Sequence, residues 1–526
     1  MNSTNGDKTM ALEHRSLGLI RGALSDDIKT VQYRNIKYAD IPDRWQKPRI
    51  ARSKLSPVEY DGTVHGPICP QPAGGWDYDM KLYGDVKLPY EPSYSSEYEC
   101  LNAVVTTPST ASRTSALPVM IWVHGGGFAI GSSSWPQYDL QKFVSRSVDI
   151  GHPIIGISFN YRLGILGFFA SDELGTEGNL GFLDQACAFE WVKLHIEEFG
   201  GDPANITVVG ESAGATSKQP AFDRAIVMSG DASLRNPRTP AKQHELYWQN
   251  VQALGLAELS VTDRIHKMRV TPIEDLLAKL PFAQYFTATT GGEFLPEKVD
   301  LLRLSDESSR YGKPSWCTEV VFGSTLHDAS LFKDRIQRHP ALLDTVLRAI
   351  DQTIPEGDRD SVKDAYHLQQ NTSNSTLVDS IVQLISDIGF YLPTKELAQA
   401  YETGGSTSCH TYHFNQLNPF PGKYTGTASH ELDVAYLLQN FNGVFSTMDA
   451  DFAKAVADIW IRFINGLGWP SGNSKVDTLV LGPEGSLEVE LVENYDKNHY
   501  GVAGWPFKGV QWEACLRLRE AILLGV

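Results

Sequence analysis

The chain has 526 residues and a formal net charge of −17 at pH 7, which disfavours nucleic acid and anionic membranes as partners because both attract basic surfaces. Its 42% apolar and 10% aromatic residues suffice for a large core and exclude a mainly disordered chain. No linker, charge block or repeat divides it. We therefore predict a single domain over residues 1–526, with a disordered N-terminus over residues 1–10.

The N-terminal residues lack the basic and then apolar layout of a signal peptide. No stretch approaches the roughly 18 uninterrupted apolar residues of a membrane span. The sequence therefore predicts a soluble cytoplasmic protein and leaves its oligomeric state open. The six cysteines include no CxxC pair of the kind that binds zinc, and we expect neither a metal nor a cofactor.

Two short N-terminal strands are predicted for residues 12–22 and 28–38, followed by an extended loop from Pro48 to Pro92. Four further strand-like runs follow: Leu101 to Thr107, Val119 to Val123, Ile154 to Asn160 and Ile206 to Val209. Between the last two, apolar side chains recur every three or four residues from Leu180 to Phe199, which predicts a helix. Strand, helix and strand in this order are the unit of a parallel sheet.

A glycine-rich loop, His124-Gly125-Gly126-Gly127-Phe128, follows the second of these strands. Consecutive glycines expose backbone N–H groups, which are the usual donors to the oxyanion of an acyl-transfer intermediate. The amides of Gly126, Gly127 and Ala213 are our candidates for an oxyanion hole. The alternative is a flexible loop without such a role.

The sequence Gly210-Glu211-Ser212-Ala213-Gly214 follows the fourth strand. Gly-x-Ser-x-Gly between a strand and a helix is typical of a sharp turn that holds a nucleophilic serine above the sheet. A tight glycine turn without chemistry is the alternative for the bare pattern. The strand before it and the glycine-rich loop upstream favour Ser212 as a nucleophile.

The sequence resembles the type B carboxylesterases, the cholinesterase-like branch of the α/β-hydrolases, along nearly its whole length. The matching stretches are Tyr38-Ala39, Gly66 to Gln71, Ser96 to Asn102, Asn160-Tyr161-Arg162, Gly178 to Gly181 with Asp184-Gln185, and Phe199 to Pro203. The resemblance implies the α/β-hydrolase fold, a central, mostly parallel mixed sheet flanked by helices and carrying large insertions. It also implies a deep gorge to the serine and a catalytic triad in the order serine, acid, histidine.

The resemblance places the acid after a strand, in the run Val321 to Phe332. Asp328 stands where the family usually has Glu, and Ala329 stands where it usually has Gly. The side chain of Asp is one methylene shorter, so the backbone must compensate. Among 14 histidines, His430 matches the family's Gly-Ala-x-His-x-x-Asp stretch and is the predicted general base, whereas His410 and His413 fall in a predicted strand.

Cys69 and Cys100 match a disulfide position of secreted relatives, but a cytoplasmic location predicts free thiols. The segment after Ser212 departs from the family, because only 13 residues from Ala213 to Ala225 precede the next apolar run. Two explanations stay open: a genuine shortening that opens the gorge floor, or a mis-spliced or internally deleted chain.

The predicted function is hydrolysis of carboxylic esters through an acyl-enzyme on Ser212, with His430 as base and Asp328 as orienting acid. One alternative is an acyltransferase or cyclase that uses the same triad, and another is a non-catalytic binding protein on this scaffold. The expected partner is a small-molecule ester, and the aromatic content favours a bulky apolar one.

Overall fold

The computed structural model describes residues 8–52, 55–56, 58–215, 222–230, 235–282, 284–297, 316–402, 407–472, 477–500 and 504–524. The strands within these residues are β1 (Thr9–His14), β2 (Gly18–Leu24), β3 (Thr30–Lys37), β4 (Ala39–Asp40), β5 (Arg49–Ile50), β6 (Glu59–Gly62), β7 (Asn102–Pro108), β8 (Leu117–Val123), β9 (Ile155–Phe159), β10 (Gly201–Glu211), β11 (Arg224–Met228), β12 (Glu319–Thr325), β13 (Ser408–Phe414), β14 (Asp477–Leu481) and β15 (Leu487–Leu491).

The α-helices within the same residues are α1 (Gly75–Met80), α2 (Gln141–Asp149), α3 (Gly164–Gly167), α4 (Leu180–His195), α5 (Pro240–Ala253), α6 (Val261–Val270), α7 (Ile273–Leu277), α8 (Lys333–Gln337), α9 (Leu342–Thr353), α10 (Glu356–Ala365), α11 (Asn374–Ser386), α12 (Leu392–Glu402), α13 (Leu432–Leu437), α14 (Thr447–Ile464), α15 (Val492–Tyr500) and α16 (Trp512–Leu524).

One large mixed sheet organises the described residues, in the order β1-β2-β3-β7-β9-β8-β10-β11-β12-β13-β14-β15, with β6 beside β2. The strands from β9 to β14 in this order are parallel to one another, and the margins are antiparallel except for β6, which is parallel to β2. The chain passes from β8 to β9 on one side and then to β10 on the other. This reversal creates a crevice at the carboxyl ends of β8 and β10, where sheets of this class place their sites.

Strand β8 shows why the central sheet is covered on both faces. Its residues Val119 to Val123 are completely buried, as expected for an apolar run in a parallel sheet. Val119, Ile121 and Val123 pack in the same cluster as the buried residues of α4, whereas Met120 and Trp122 pack with those of α14. The alternation follows from the two-residue period of a strand.

The predicted fold class is confirmed, and several predicted boundaries are wrong. Residues 12–22 contain parts of two strands, because a turn separates β1 from β2. The predicted disorder over residues 1–10 extends too far, since β1 begins at Thr9 and pairs with β2; residues 1–7 lie outside the described residues. Strand β10 begins at Gly201, five residues before the predicted run Ile206 to Val209. The short segment after Ser212 falls largely on residues 216–221, also outside the described part.

Helices long and apolar enough to cross a membrane do not occur within the described residues.

A buried ion pair ties β9 to α4. The guanidinium of Arg162, just after β9, donates from Nε and Nη2 to the two oxygens of Asp184 at 2.8 and 2.7 Å, and both side chains are at most 1% exposed. Asp184 also accepts the backbone N–H of Arg162. Removing one member of such a pair leaves an uncompensated buried charge.

We predict that D184N lowers the free energy of unfolding by about 3–5 kcal/mol. The urea midpoint followed by circular dichroism measures the loss. The matched control is E245Q, which breaks the exposed pair between Lys242 and Glu245 and should change stability by less than about 1 kcal/mol. A D184N midpoint equal to that of E245Q would contradict this prediction.

Candidate active site

Ser212 lies immediately after β10, at the carboxyl edge of the central sheet. Its φ of 49° is in the left-handed region, which is uncommon for a residue with a Cβ and marks a strained turn. The side chain is nearly buried, with 8% of the residue exposed. This conformation turns the chain sharply from the strand into the short 3-10 segment Ser212–Ala215.

Three glycines allow other backbone segments to approach this turn. A Cβ on Gly125 would lie 2.1 Å from Glu211 Oε2, and one on Gly214 would lie 2.2 Å from the carbonyl oxygen of Val123. A Cβ on Gly230 would lie 2.1 Å from the carbonyl oxygen of Ser212 itself. Contacts this short are not available to any side-chain atom, so the turn depends on glycine at all three positions.

The loop after β8 places Gly126 and Gly127 beside the turn with positive φ values of 92° and 62°. The carbonyl oxygen of Gly126 accepts the N–H groups of Ala129 and Ile130, which fixes the loop as a tight turn. Within the described part of the chain, the N–H groups of Gly126 and Gly127 have no hydrogen-bond acceptor. They are therefore available as donors, while the predicted third donor, Ala213, is buried after Ser212.

Asp328 and His430 lie in direct contact. Strand β12 ends at Thr325, and the N–H of Thr325 donates to Asp328 Oδ2 at 2.8 Å. The other oxygen, Oδ1, lies 2.7 Å from His430 Nδ1. The backbone N–H of His430 donates to Ser330 Oγ at 3.2 Å, so the loops carrying the acid and the histidine hold each other in place.

The environment of His430 favours its protonated form. Burial lowers the pKa of the imidazole, but the hydrogen bond to Asp328 and the negative charges of Asp328, Glu431 and Asp433 raise it, and the net shift is upward from 6.5. The Asp433 carboxyl is buried and accepts the hydroxyl of Tyr412 at 2.6 Å. Burial raises the pKa of Asp433 to about 7.

A cluster of buried carboxyls lies behind the histidine. We define the acid cluster as Asp79, Glu211 and Glu431. The negative charge of Glu431 acts on both other carboxyls, and Glu431 accepts the hydroxyls of Tyr83 at 3.0 Å and Tyr138 at 3.2 Å. Burial, followed by the charge of Glu431, raises the pKa of Asp79 and of Glu211 well above the usual range.

Glu211 connects the acid cluster to the histidine. Its Oε1 lies 3.2 Å from His430 Nε2, although without hydrogen-bond alignment. Within the described residues, neither oxygen of Glu211 accepts from an N–H or O–H donor with a fixed proton. A buried carboxylate without a donor is unfavourable, which agrees with the raised pKa of Glu211.

The same side chains offer a set of metal ligands. One ligand atom each from Glu211, His430 and Glu431 lies within 4.8 Å of the others, and all three residues are buried. A cation held there would bind a ring nitrogen of His430. The set therefore competes with any use of His430 as a base.

The structure brings together Asp328 and His430, and it places Gly125, which directly precedes Gly126 and Gly127, against the Ser212 turn that Ala213 continues. Ser212 and His430 both adjoin Glu211, but within the described residues Ser212 Oγ makes no hydrogen bond to His430 Nε2. His413 is buried in β13 and pairs with Ser324 Oγ at 3.1 Å, away from this site.

Sequence reasoning missed the acid cluster. Glu211 and Glu431 directly precede Ser212 and follow His430, so their positions beside predicted site residues were a usable signal. No sequence motif around Asp79 singles it out. It lies 352 residues before Glu431 in the sequence, and only the fold brings the two carboxyls together.

Cys69 and Cys100 are free and buried. Their Sγ atoms lie 2.7 Å apart, so the pairing implied by the resemblance is geometrically adjacent. Burial raises the pKa of the Cys69 thiol, which disfavours the reactive thiolate.

Comparison with known proteins identifies the family. The carboxylesterase family model matches residues 9–484. The para-nitrobenzyl esterase of Bacillus subtilis is 26% identical over 510 residues, covering 90% of this chain and 94% of the relative. Lipase 3 of Yarrowia lipolytica is 28% identical over 432 residues, covering 78% of this chain and 80% of the relative.

Solved structures share the fold. A para-nitrobenzyl esterase structure superimposes with a TM-score of 0.69 at 24% identity, covering 94% of this chain and 100% of that one. A Geobacillus stearothermophilus carboxylesterase gives a TM-score of 0.71 at 22% identity, covering 93% of this chain and 99% of that one. The chain therefore belongs to the carboxylesterase family and is a carboxylic-ester hydrolase with the α/β-hydrolase fold.

Proposed function

We propose that this hydrolase cleaves small-molecule esters through an acyl-enzyme on Ser212, with His430 as the general base and Asp328 as the orienting acid. The observation that carries the proposal is the 2.7 Å contact between His430 Nδ1 and Asp328 Oδ1. An acid on Nδ1 fixes the tautomer that leaves Nε2 unprotonated and able to accept a proton.

In the acylation step, His430 Nε2 takes the proton of the Ser212 hydroxyl as Oγ attacks the ester carbonyl carbon. The carbonyl oxygen becomes an oxyanion, which the N–H groups of Gly126, Gly127 and Ala213 stabilise. The imidazolium then gives its proton to the departing alkoxide as the carbon–oxygen bond breaks. Water, activated by the same imidazole, releases the acid and restores the serine.

This cycle requires Ser212 Oγ to reach His430 Nε2. Such contacts often tighten only when substrate binds. Glu211, 3.2 Å from that nitrogen, would otherwise hold the imidazolium as an ion pair. A neutral Glu211 avoids this trap, and its raised pKa supports the neutral form.

We further propose an ester with an apolar body. The phenyl ring of Phe390 lies 5.5 Å from the imidazole of His430, edge to face, and the buried Phe128 follows the oxyanion loop. Transfer of the acyl group to an acceptor other than water would use the same residues, and analysis of the released products distinguishes the two. The cytoplasmic location expected from the sequence stays a prediction.

The nucleophile is tested by labelling with a fluorophosphonate probe. We expect the probe to modify the peptide that contains Ser212, and we expect S212A to lose both the labelling and the hydrolysis of a short-chain aryl ester. The control is S217A, a serine five residues further along the chain. A fully active S212A variant would refute the assignment.

The raised pKa of His430 predicts the pH dependence. Because the base must be neutral, kcat/KM should fall as the pH decreases through a value above 6.5. D328N removes the hydrogen bond and charge that raise the pKa, so its acid limb should move to lower pH while the maximal rate drops by about 10⁴-fold.

Stopped assays across the pH range measure both effects. D451N removes an exposed charge that is paired with Lys454. This control variant should leave the acid limb of the pH dependence of kcat/KM unchanged. An acid limb that stays in place in D328N would show that another group titrates.

The backbone contact at the Ser212 turn predicts the effect of a single methyl group. In G230A the new Cβ would meet the carbonyl oxygen of Ser212, so the turn must shift. Displacements of about 1 Å can cost about 100-fold in rate, and we expect a loss of that order in kcat/KM. G443A adds a methyl group in open space and should retain the parent rate; equal activity of the two variants argues against a rigid turn.

A further inference from the structure

Arg235 presents to the oxyanion loop a guanidinium edge that has no acceptor among the described residues. Its Nη2, Cζ and Nε lie 2.5, 3.2 and 3.7 Å from the position that a Cβ on Gly127 would take. The side chain is half-buried. The Nε and Nη2 edge of arginine is one of the two forks that match the two oxygens of a carboxylate.

The other contacts of Arg235 hold that edge in place. Its Nη1 donates to the carbonyl oxygen of Phe286 at 3.0 Å, and the guanidinium lies 4.9 Å from the ring centroid of Tyr285. Thr287 Oγ1 donates to the backbone carbonyl oxygen of Arg235 at 2.8 Å. These contacts use Nη1 and one face of the guanidinium, and they leave the Nε and Nη2 edge without a partner in the described part of the chain.

No protein anion neutralises this cation in the part of the chain that the structure describes. No carboxylate there lies within 4.0 Å of Arg235, and neither Nε nor Nη2 has an acceptor there. A second cation, Arg238, lies 4.8 Å from the same Tyr285 ring. In a chain with a net charge of −17, two adjacent arginines without a carboxylate partner leave a local site for an anion.

We propose that Arg235 binds a carboxylate carried by the ester substrate, close to the ester carbonyl. The proposal rests on the proposed function, because it assumes that the carbonyl oxygen occupies the oxyanion hole at Gly126 and Gly127. The substrate class is then an ester with a free carboxylate, in either the acyl or the alcohol part. Arg235 recognises the substrate and takes no part in bond breaking.

The test compares esters of equal length with and without the carboxylate. The acyl arm pairs monomethyl succinate and glutarate with methyl butanoate and pentanoate, and the alcohol arm pairs 3-acetoxypropanoate with propyl acetate. A pH-stat follows acid release. In at least one of the two arms, the kcat/KM of the parent enzyme for the anionic ester should exceed that for the matched neutral ester by at least about 10-fold. This ratio corresponds to the free energy of one hydrogen bond to a charged group.

R235Q should lower this anionic-to-neutral ratio by about 10- to 100-fold. The ratio is measured on one sample, so partial misfolding cancels. R235K should retain part of the preference, because lysine keeps the charge without the fork. The matched control is R113Q, which removes an arginine that is paired with Glu197 and Glu198 away from this site and should leave the ratio within about 3-fold.

The outcomes separate the failure modes. A parent enzyme without a preference in either arm, or an R235Q ratio equal to that of the parent, overturns the inference. An equal loss on both esters also overturns it, because it assigns Arg235 to the oxyanion or to the fold. Failure to hydrolyse any ester, together with no fluorophosphonate labelling of Ser212, contradicts the proposed function instead.

Discussion

The site depends on backbone segments packing against one strained turn. Ser212 adopts its left-handed conformation only because neighbouring segments approach without side chains, at Gly125, Gly214 and Gly230. The parallel order of β8, β10 and β11 brings these segments to one edge, with Val123 level with Gly210 and Met228 level with Glu211. The turn and the sheet therefore form one unit, and strain at Ser212 is balanced by close packing around it.

Burial of negative charge is the second constraint. Asp328 lies 2.7 Å from Nδ1 of His430, and Glu211 lies 3.2 Å from Nε2 of the same ring. Two ionised carboxylates there would hold the imidazolium so firmly that it could not act as a base. Glu431 changes this balance, because it accepts two tyrosine hydroxyls and favours protonation of Glu211. Only Asp328 then needs to carry the charge that orients the ring.

The sequence predicted the parts of the site that have local signals. Gly-x-Ser-x-Gly after an apolar strand singles out Ser212, and the resemblance to the type B carboxylesterases singles out Asp328, which contacts His430. Pairing of strands is set by contacts between distant segments, so no pattern predicted that β8 lies between β9 and β10. The left-handed Glu431 and its contacts with Asp79 and Tyr83 depend on that packing. Arg235 has no motif at all, and only its approach to Gly127 singles it out.

The glycine-rich loop after β8 lies between a group of buried carboxyls and a cation. Gly125 packs against Glu211, and two residues later Gly127 faces Arg235. Burial and the charge of Glu431 favour the protonated forms of Asp79 and Glu211 on the first side, so these two carboxyls repel an anion less than ionised ones would. Burial lowers the pKa of Arg235, and Arg238 lowers it further, but an arginine stays charged. A carboxylate beside the ester carbonyl would thus meet one fixed cation and few fixed anions, and its negative charge would lie opposite the acid cluster across the glycine-rich loop.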